Sequence, residues 1–356
     1  MLSECANQDQ PCCAGRAIVI RCRSHEGAGR VNPPERPRVF VALRLQSDAK
    51  ARIEAVCDVD YFEGQGLPSK SELIAGVAKA DGLLGSAQLP VDSDVLAAAS
   101  KLRVVSNFGV GFDNVDLDAA TKGGVLVCNT PGVLTDAVAD LTLGLILALA
   151  RRLPEAERFA RDGDWQRGAR MALGTDVRGK TLGIIGLGRI GVAVAERAHA
   201  FGMSITFHDI FRQPPIETPP CSYRELDDLL AVADFVSLHV NLRPETRGLI
   251  GARELTLMKP TAYLINTSRG QTVDQAALVA ALRSGELAGA ALDVLEEEPL
   301  PPDDPLAALP NVILLPHIGS ATVETRQAMR DLAIDNLLAA LRGERPEAVV
   351  NAEVLS

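Results

Sequence analysis

Residues Thr181–Asp209 read TLGIIGLGRIGVAVAERAHAFGMSITFHD, and this stretch decides the fold of the chain. Its first part, Leu182–Gly186, is apolar or small throughout, which predicts a buried strand. A helical pattern follows, and a second short strand, Ile205–Phe207, ends at Asp209. A strand, a glycine-rich turn, a helix and another strand predict a βαβ unit of a parallel sheet.

The turn inside this unit has the spacing G-x-G-x-x-G. Gly186 permits the tight turn, Gly188 lets the backbone approach a pyrophosphate, and Gly191 lets the helix pack close to the sheet. The helix N-terminus offers N–H groups to phosphates, and Asp209 stands where a carboxylate binds a ribose hydroxyl. The spacing predicts a dinucleotide site; the alternative is a glycine-rich turn that binds nothing. The predicted cofactor-binding residues here are Gly186, Leu187, Gly188, Arg189, Ile190, Gly191 and Asp209.

Length and composition limit the class of protein. At 356 residues the chain exceeds one ordinary core, so two domains are expected. A net charge of −10 argues against a surface for nucleic acid or anionic membrane, so neither partner is expected. No apolar run approaches the roughly 20 residues needed to cross a bilayer. An anionic substrate therefore needs a local cluster of donors.

The seven cysteines form no C-x-x-C pair and no metal-ligand spacing, so no metal is predicted. Four precede position 23, and the others are Cys57, Cys128 and Cys221. Free thiols are typical of a reducing compartment, and we expect a cytoplasmic protein.

The first half of the chain predicts a small parallel α/β unit. Residues 1–37 show no helical or strand period and are expected to be a disordered extension. The five strand candidates are Val39–Leu43, Val59–Phe62, Gly82–Leu84, Val104–Asn107 and Val125–Cys128. Residues suited to N-capping open the intervening helices near Ser47, Ser69, Asp92 and Asp116. The turn Asn129–Gly132 precedes a long apolar helix, Thr135–Arg152, that should lead into the second unit.

The second unit predicts the doubly wound sheet of a dinucleotide domain. After Asp209 we expect a proline-rich loop, Gln213–Pro220, and a short helix, Tyr223–Leu230. Further strands are predicted at Phe235–Val240, Ala262–Asn266, Gly289–Val294 and Val312–Leu315. Helices are predicted near Leu249–Met258 and Asp274–Ser284. A last helix, Thr322–Arg342, should pack back on the first unit.

Three residues that could assist the reduction of a carbonyl compound follow successive strands of this sheet. Arg269, Glu298 and His317 all lie past a carboxyl end, where open α/β sheets bind ligands. A guanidinium suits a carboxylate, and a histidine held by a carboxylate can pass a proton at neutral pH. Each residue alone is more often structural. Together, downstream of a dinucleotide fingerprint, they predict the catalytic residues of a nicotinamide enzyme.

Several motifs occur together in one order along the chain. They are NFGVGFDNVD at 107–116, NTPGVLTDAVADL at 129–141, GLGRIG at 186–191, NTSRG at 266–270, LDVLEEEP at 292–299 and LPHIGSAT at 315–322. With this combination the chain resembles the D-isomer-specific 2-hydroxyacid dehydrogenases, most closely their glyoxylate and hydroxypyruvate reductases. The resemblance covers the chain from about Arg38 to the C-terminus.

The resemblance implies a division into two domains with the active site between them. Residues 38–134 and 322–356 would form a flavodoxin-like substrate-binding domain, and residues 135–321 an NAD(P)-binding Rossmann domain. The implied reaction is NAD(P)H-dependent reduction of a small 2-oxo acid, glyoxylate or hydroxypyruvate, to the D-2-hydroxy acid.

The resemblance also implies a role for each residue that matches a family motif. Arg269 would bind the substrate carboxylate and carbonyl, and His317 would be the acid/base paired with Glu298. The other implied substrate-binding residues are Leu84, with Gly85 and Ser86 beside it, and the backbone of Val110 and Gly111. The implied cofactor contacts outside the glycine turn are Thr135, Val240, Thr246, Thr267, Asp293, His317 and Gly319.

Two features of the sequence bear on specificity. The Asp209 carboxylate would repel a 2′-phosphate, and the basic residue that NADP-preferring relatives place next is displaced to Arg212, so NADH is favoured over NADPH. Some hydroxypyruvate reductases of the family carry a further tryptophan three positions after Trp165. This chain has Gly168 there, which weakens the case for hydroxypyruvate.

A homodimer is implied by the family, and we expect its interface along Thr135–Arg152 and on to about Ala172. Two alternatives stay open. One is a reductase of larger sugar-derived acids such as 2-ketogluconate; the other is an NAD-sensing binding protein that resembles a co-repressor.

Overall fold

The strands form two separate parallel sheets. The computed structural model describes residues 36–210, 216–217 and 219–355, so the extension predicted for 1–37 lies outside it except for its last two residues. The strands of the first sheet are β1 Arg38–Val41, β2 Asp58–Tyr61, β3 Gly82–Ser86, β4 Val104–Phe108 and β5 Leu126–Cys128. Their order is β2-β1-β3-β4-β5, with every pair parallel, which is the flavodoxin-like order.

Helices connect the strands of the first sheet and begin at local capping signals. They are α1 Ser47–Glu54, α2 Lys70–Val77, α3 Ser93–Ala98 and α4 Leu117–Lys122. Ser69, Asp92 and Asp116 cap the last three, each with a side-chain oxygen that accepts a backbone N–H, as predicted. Ser47 is instead the first helical residue of α1, and Gln46 precedes it without a side-chain cap.

The second sheet is larger and carries the glycine-rich turn. Its strands are β6 Thr181–Ile185, β7 Ser204–His208, β8 Ile216–Glu217, β9 Pro220–Tyr223, β10 Phe235–Leu238, β11 Tyr263–Asn266, β12 Gly289–Leu292 and β13 Val312–Leu314. The order is β13-β12-β11-β10-β6-β7-β9-β8, parallel except for the pair β8 and β9. The strand order reverses between β6 and β10, and such a switch point opens a ligand-binding crevice.

Seven α-helices follow α4 in the described ranges, and all but the last belong to the part of the chain that forms the second sheet. They are α5 Thr135–Ala150, α6 Leu153–Arg161, α7 Arg189–Ala200, α8 Leu226–Val232, α9 Ala252–Leu257, α10 Gln275–Ser284 and α11 Val323–Leu341. The predicted fold class, a Rossmann-type sheet with a second parallel α/β sheet, is confirmed.

The segment between β7 and α8 differs from its prediction. A loop over Gln213–Pro220 and a helix from Tyr223 were expected, but Pro220–Tyr223 is a strand. Tyr223 pairs with Phe207 on β7, and their rings meet edge to face at 5.6 Å. This helix prediction was therefore wrong at its start, because sheet pairing and an aromatic contact with β7 outweigh the local helical pattern.

Two long helices pack on different sheets. Apolar residues of α5 share a core with α7 and the second sheet. This core includes Ile146 of α5, Leu182 of β6 and Val194 of α7. On α11, Ile334 and Leu337 are fully buried against Val39 and Val104 of the first sheet. A buried side chain of this size contributes about 1.5 to 3 kcal/mol. The chain thus enters the second sheet through α5 and returns to the first through α11, while the domain boundaries stay a prediction.

Candidate active site

Three glycines form the turn between β6 and α7. Gly186 has a φ of +93°, and a Cβ there would lie 2.7 Å from the His239 carbonyl oxygen. A Cβ on Gly191 would lie 2.3 Å from the Gly186 carbonyl oxygen, so the fold itself requires both glycines. A Cβ on Gly188 would meet no heavy atom within 4 Å. The space beside Gly188 is therefore open, which fits a turn whose backbone receives a pyrophosphate.

The predicted ribose-binding acid lies beside this turn. Asp209 follows β7, and its Oδ2 accepts the backbone N–H of Leu187 at 2.8 Å. Arg189 is the exposed first residue of α7, so the positive end of the helix dipole lies next to the same turn. The turn, the acid and the helix end thus fit the diphosphate and ribose of a dinucleotide.

Both halves of the molecule line one cleft at the carboxyl ends of the second sheet. Of the predicted site residues, the cleft brings together Val110, Gly111, Ile190, Val240, Thr267 and Arg269. The other lining residues are Phe112, Asp113, His239, Asn241, Leu242 and Ser268. The cleft joins the predicted substrate loop to residues flanking the glycine turn.

His239 contributes a partly buried imidazole to this cleft. Its Nε2 lies 2.9 Å from the Ser237 hydroxyl, whereas Nδ1 is buried without a hydrogen-bond partner in the described part of the chain. Burial lowers the pKa of His239 to about 3, so the ring is neutral at physiological pH. A buried orphan nitrogen is costly unless a ligand or water satisfies it, which again fits a cofactor site.

His317 and Glu298 form a hydrogen-bonded pair. His317 Nδ1 lies 2.8 Å from Glu298 Oε2, and the backbone N–H of Leu295 donates to Oε1 at 3.0 Å. Burial raises the pKa of Glu298, but the bonds from His317, Leu295 and Gln88 outweigh it, so the net pKa is below the usual value. An ionised carboxylate only accepts, so Nδ1 carries a proton and Nε2 is left for a substrate.

Asp293 holds the backbone on which His317 sits. His317 has a φ of +57°, in the left-handed region that non-glycine residues rarely adopt. The next two backbone N–H groups, of Ile318 and Gly319, donate to Oδ1 and Oδ2 of Asp293, both at 2.7 Å. Burial raises the pKa of Asp293, although these two bonds oppose the shift. Asp293 and Gly319, both predicted cofactor contacts, therefore also fix the direction of the His317 loop.

Arg269 is anchored to a residue of the other half. Its Nε donates to Asp113 Oδ1 and Oδ2 at 3.0 and 3.2 Å, and its Nη1 donates to the Ser268 carbonyl oxygen at 2.9 Å. A Cβ on Gly111 would lie 1.5 Å from Arg269 Nη2, so only glycine fits there. The guanidinium thus lies directly on the loop predicted to hold the substrate carboxylate.

The remaining predicted residues lie elsewhere around the cleft. The Leu84 side chain is 1% exposed in the core under α11, so it cannot touch a substrate. Thr246 Oγ1 donates to the Asn241 carbonyl oxygen at 2.6 Å and shapes the turn after β10. Thr135 is the first residue of α5.

Comparison with known proteins identifies the family. The profile for the NAD-binding domain of the D-isomer-specific 2-hydroxyacid dehydrogenases matches residues 143–319. A glyoxylate reductase from Thermofilum pendens is 48% identical over 325 residues, which cover 90% of this chain and 96% of that protein. The chain belongs to the D-isomer-specific 2-hydroxyacid dehydrogenase family.

Solved structures of relatives have the same architecture. A Thermus thermophilus protein is 46% identical with a TM-score of 0.80, covering 88% of this chain and 99% of its own. An NADPH-dependent glyoxylate/hydroxypyruvate reductase from Sinorhizobium meliloti, solved with NADP and malonate, is 38% identical with a TM-score of 0.80. That alignment covers 89% of this chain and 97% of the reductase. The predictions of family and of an NAD(P) cofactor are confirmed.

Sequence reasoning missed two residues of the site. Asp113 lies in the motif at 107–116 but is not among the predicted site residues, and neither is Gln88. Gln88 Nε2 donates to Glu298 Oε2 at 3.1 Å from the opposite half of the molecule. The signal for Asp113 was its place two residues after the loop glycine; nothing in the sequence marks Gln88.

Replacing Gly188 by alanine separates cofactor binding from folding. We expect Gly188→Ala to keep the wild-type unfolding temperature, because its methyl group meets no protein atom, but to weaken NADH binding by about tenfold or more. NADH fluorescence titration and thermal unfolding measure the two effects. Gly191→Ala is the contrasting variant and should lower the unfolding temperature. A stable Gly188→Ala protein with unchanged NADH affinity would place the phosphates elsewhere.

Proposed function

We propose that this protein reduces glyoxylate to glycolate with a reduced nicotinamide cofactor, with hydroxypyruvate as the second substrate to test. The observation that carries the proposal is the hydrogen-bonded His317–Glu298 pair in a chain whose NAD-binding domain also places Arg269 on the cleft. The glyoxylate reductases that resemble the chain over 90% of its length support the choice of a small 2-oxo acid.

The residues present divide the work of such a reduction. The bound cofactor supplies a hydride. The outer N–H groups of Arg269 and the backbone of Val110 and Gly111 would hold the substrate carboxylate and polarise its carbonyl. His317 would donate the Nε2 proton to the carbonyl oxygen, while Glu298 stabilises the charged imidazole. The glycine turn and Asp209 would hold the cofactor, and Gly319 would help to orient the proton donor.

Removing the imidazole tests the proton role. His317→Ala should lower kcat for glyoxylate by about a hundredfold or more, since a positioned acid contributes roughly 10² to 10⁴. The dissociation constant for NADH should change little. His199→Ala, on the exposed end of α7, is the matched control and should retain wild-type turnover. An unaltered kcat in His317→Ala would reject the assignment, and a wild-type enzyme inert toward all 2-oxo acids would favour a binding protein.

We propose NADH as the preferred cofactor. The support is the Asp209 carboxylate beside the turn, where a 2′-phosphate would meet a like charge. The kcat/KM with NADH should exceed that with NADPH by about tenfold or more. Asp209→Ala should lower this ratio of the two kcat/KM values. Glu196→Ala, which removes an exposed acid from α7, should leave the ratio unchanged. A wild-type enzyme that prefers NADPH would overturn the preference.

We propose a homodimer whose interface includes α5, α6 and the segment that follows. Three large apolar side chains there are exposed: Leu153 by 52%, Trp165 by 70% and Leu173 by 93%. Exposed apolar side chains concentrated in one segment are typical of an interface. Light scattering should give twice the chain mass for the wild type and a lower mass for the double variant Leu153→Glu/Leu173→Glu. Leu67→Glu, which charges an exposed leucine elsewhere, should stay dimeric; a monomeric wild type would contradict the proposal.

We also propose a cytoplasmic location. Cys128 and Cys221 are buried free thiols, and burial raises the pKa of Cys128 to about 12, so it stays protonated and unreactive. Thiols that persist unpaired are typical of a reducing compartment. Separately, no helix in the described ranges is long and apolar enough to cross a membrane.

A further inference from the structure

The loop after β3 carries one side chain that reaches from the first half of the molecule to the His317–Glu298 pair. Gln88 follows the loop Leu84–Ser86 that the resemblance implied for substrate binding, and its backbone N–H donates to the Ser86 hydroxyl at 3.2 Å. Its amide nitrogen donates to Glu298 Oε2 at 3.1 Å and lies 3.4 Å from His317 Nδ1. One neutral side chain from the first half therefore contacts both members of a pair that belongs to the second half.

We infer that Gln88 is a positioning residue for the His317–Glu298 pair, which it completes only while the two walls of the cleft are together. The inference rests on the proposed function, because it assigns Gln88 to the proton delivery of that same site. Gln88 is not assigned a contact with the reacting atoms. It acts through the Glu298 carboxylate.

The hydrogen bonds of Glu298 show what Gln88 contributes. Glu298 Oε1 is held by the backbone N–H of Leu295, whereas Oε2 accepts from both His317 and Gln88. Within the described ranges Gln88 is the one residue from the first-sheet half with a hydrogen bond to this pair. If the cleft opens, Oε2 loses this donor and only the imidazole holds it. The carboxylate that orients His317 is therefore held most firmly in the closed arrangement, in which water is also excluded from the substrate.

The same bond stabilises the charged form of the Glu298 carboxylate and is one cause of its lowered pKa. Gln88 shares the oxygen that faces His317 Nδ1, so it draws negative charge away from the carboxylate that stabilises the imidazolium. Without Gln88 the carboxylate would bind the imidazolium more strongly, and His317 would keep its proton to a higher pH. The other charged groups nearby are Asp293 at the end of β12, Arg326 of α11, which acts on Asp293, and Glu297 on the Glu298 loop. None of them changes in the variants proposed below.

Three substitutions at position 88 test the inference, because each should shift the pH dependence of kcat/KM in a stated direction. Gln88→Leu keeps the size but removes the donor, and should lower kcat for glyoxylate about tenfold while KM changes less than kcat. On the alkaline side, the pH at which kcat/KM is half-maximal should rise by roughly half a unit. Gln88→Glu should move this midpoint further up, and Gln88→Lys, which supplies a charged donor, should move it below that of Gln88→Leu. Gln65→Leu, an exposed glutamine of the same half, should behave as the wild type.

A second readout does not depend on turnover. The imidazole signals of the NADH-bound protein can be titrated by NMR, and the His317 signal is assigned by its loss in His317→Ala. The His317 midpoint should rise in Gln88→Leu and stay unchanged in Gln65→Leu. An unchanged midpoint and unchanged kcat in Gln88→Leu would overturn the inference. If the wild type reduces no 2-oxo acid the proposed function fails, and the NMR titration still decides whether Gln88 acts on the pair.

Discussion

The Asp293 carboxylate is the constraint on which the site depends. It accepts the N–H groups of Ile318 and Gly319 and so holds the left-handed backbone of His317. A non-glycine residue in that region costs of order 1 to 3 kcal/mol unless its surroundings fix it. Two short bonds to one buried carboxylate provide that fixation. The direction of the imidazole, and through it the pairing with Glu298, follows from an acid at the end of β12.

The topology explains why the glycine turn, Arg269 and the His317–Glu298 pair meet at one edge of the molecule. All strands from β6 onward that carry site residues are parallel, so their carboxyl ends share one edge of the sheet. The turn follows β6, Arg269 follows β11, and His317 follows β13. The reversal of strand order between β6 and β10 opens the crevice beside His239. The first sheet then contributes the opposite wall, through the loop that ends at Asp113.

Sequence patterns predicted the parts of the structure that local chemistry determines. Asp92, Asp116 and Thr322 cap helices with their own side chains, so a few adjacent residues mark where each helix begins. The glycine turn was also predictable, because the glycine spacing lies within one short segment, although the contact that requires Gly186 comes from His239 after β10. The strand Pro220–Tyr223 was missed because its pairing partner lies on β7 and its prolines are typical of a loop.

The two site residues that the sequence did not predict were missed for a different reason. Asp113 meets Arg269 across 156 positions of sequence, and Gln88 meets Glu298 across 210. Neither contact belongs to a motif of fixed spacing, and each depends on how the two sheets face one another. A single sequence therefore proposes candidates for the chemical groups, since these must be of particular types at strand ends. It does not identify the neutral or oppositely charged side chains that orient them.

The bond between Arg269 and Asp113 illustrates what such orienting contacts do. The arginine proposed to bind the substrate carboxylate is already bound to a carboxylate of the protein, which would at first sight compete with the substrate. Asp113 contacts Nε and one side of Nη2, which lies 3.0 Å from Oδ1, and the Ser268 carbonyl oxygen accepts from Nη1, so one N–H of Nη1 and one of Nη2 stay available. Because the guanidinium is planar and rigid, fixing one side of it fixes the direction of the other. Asp113 thus restricts the conformations that the Arg269 side chain can adopt. The conformational entropy of this side chain is lost when the protein folds, so substrate binding does not have to order it.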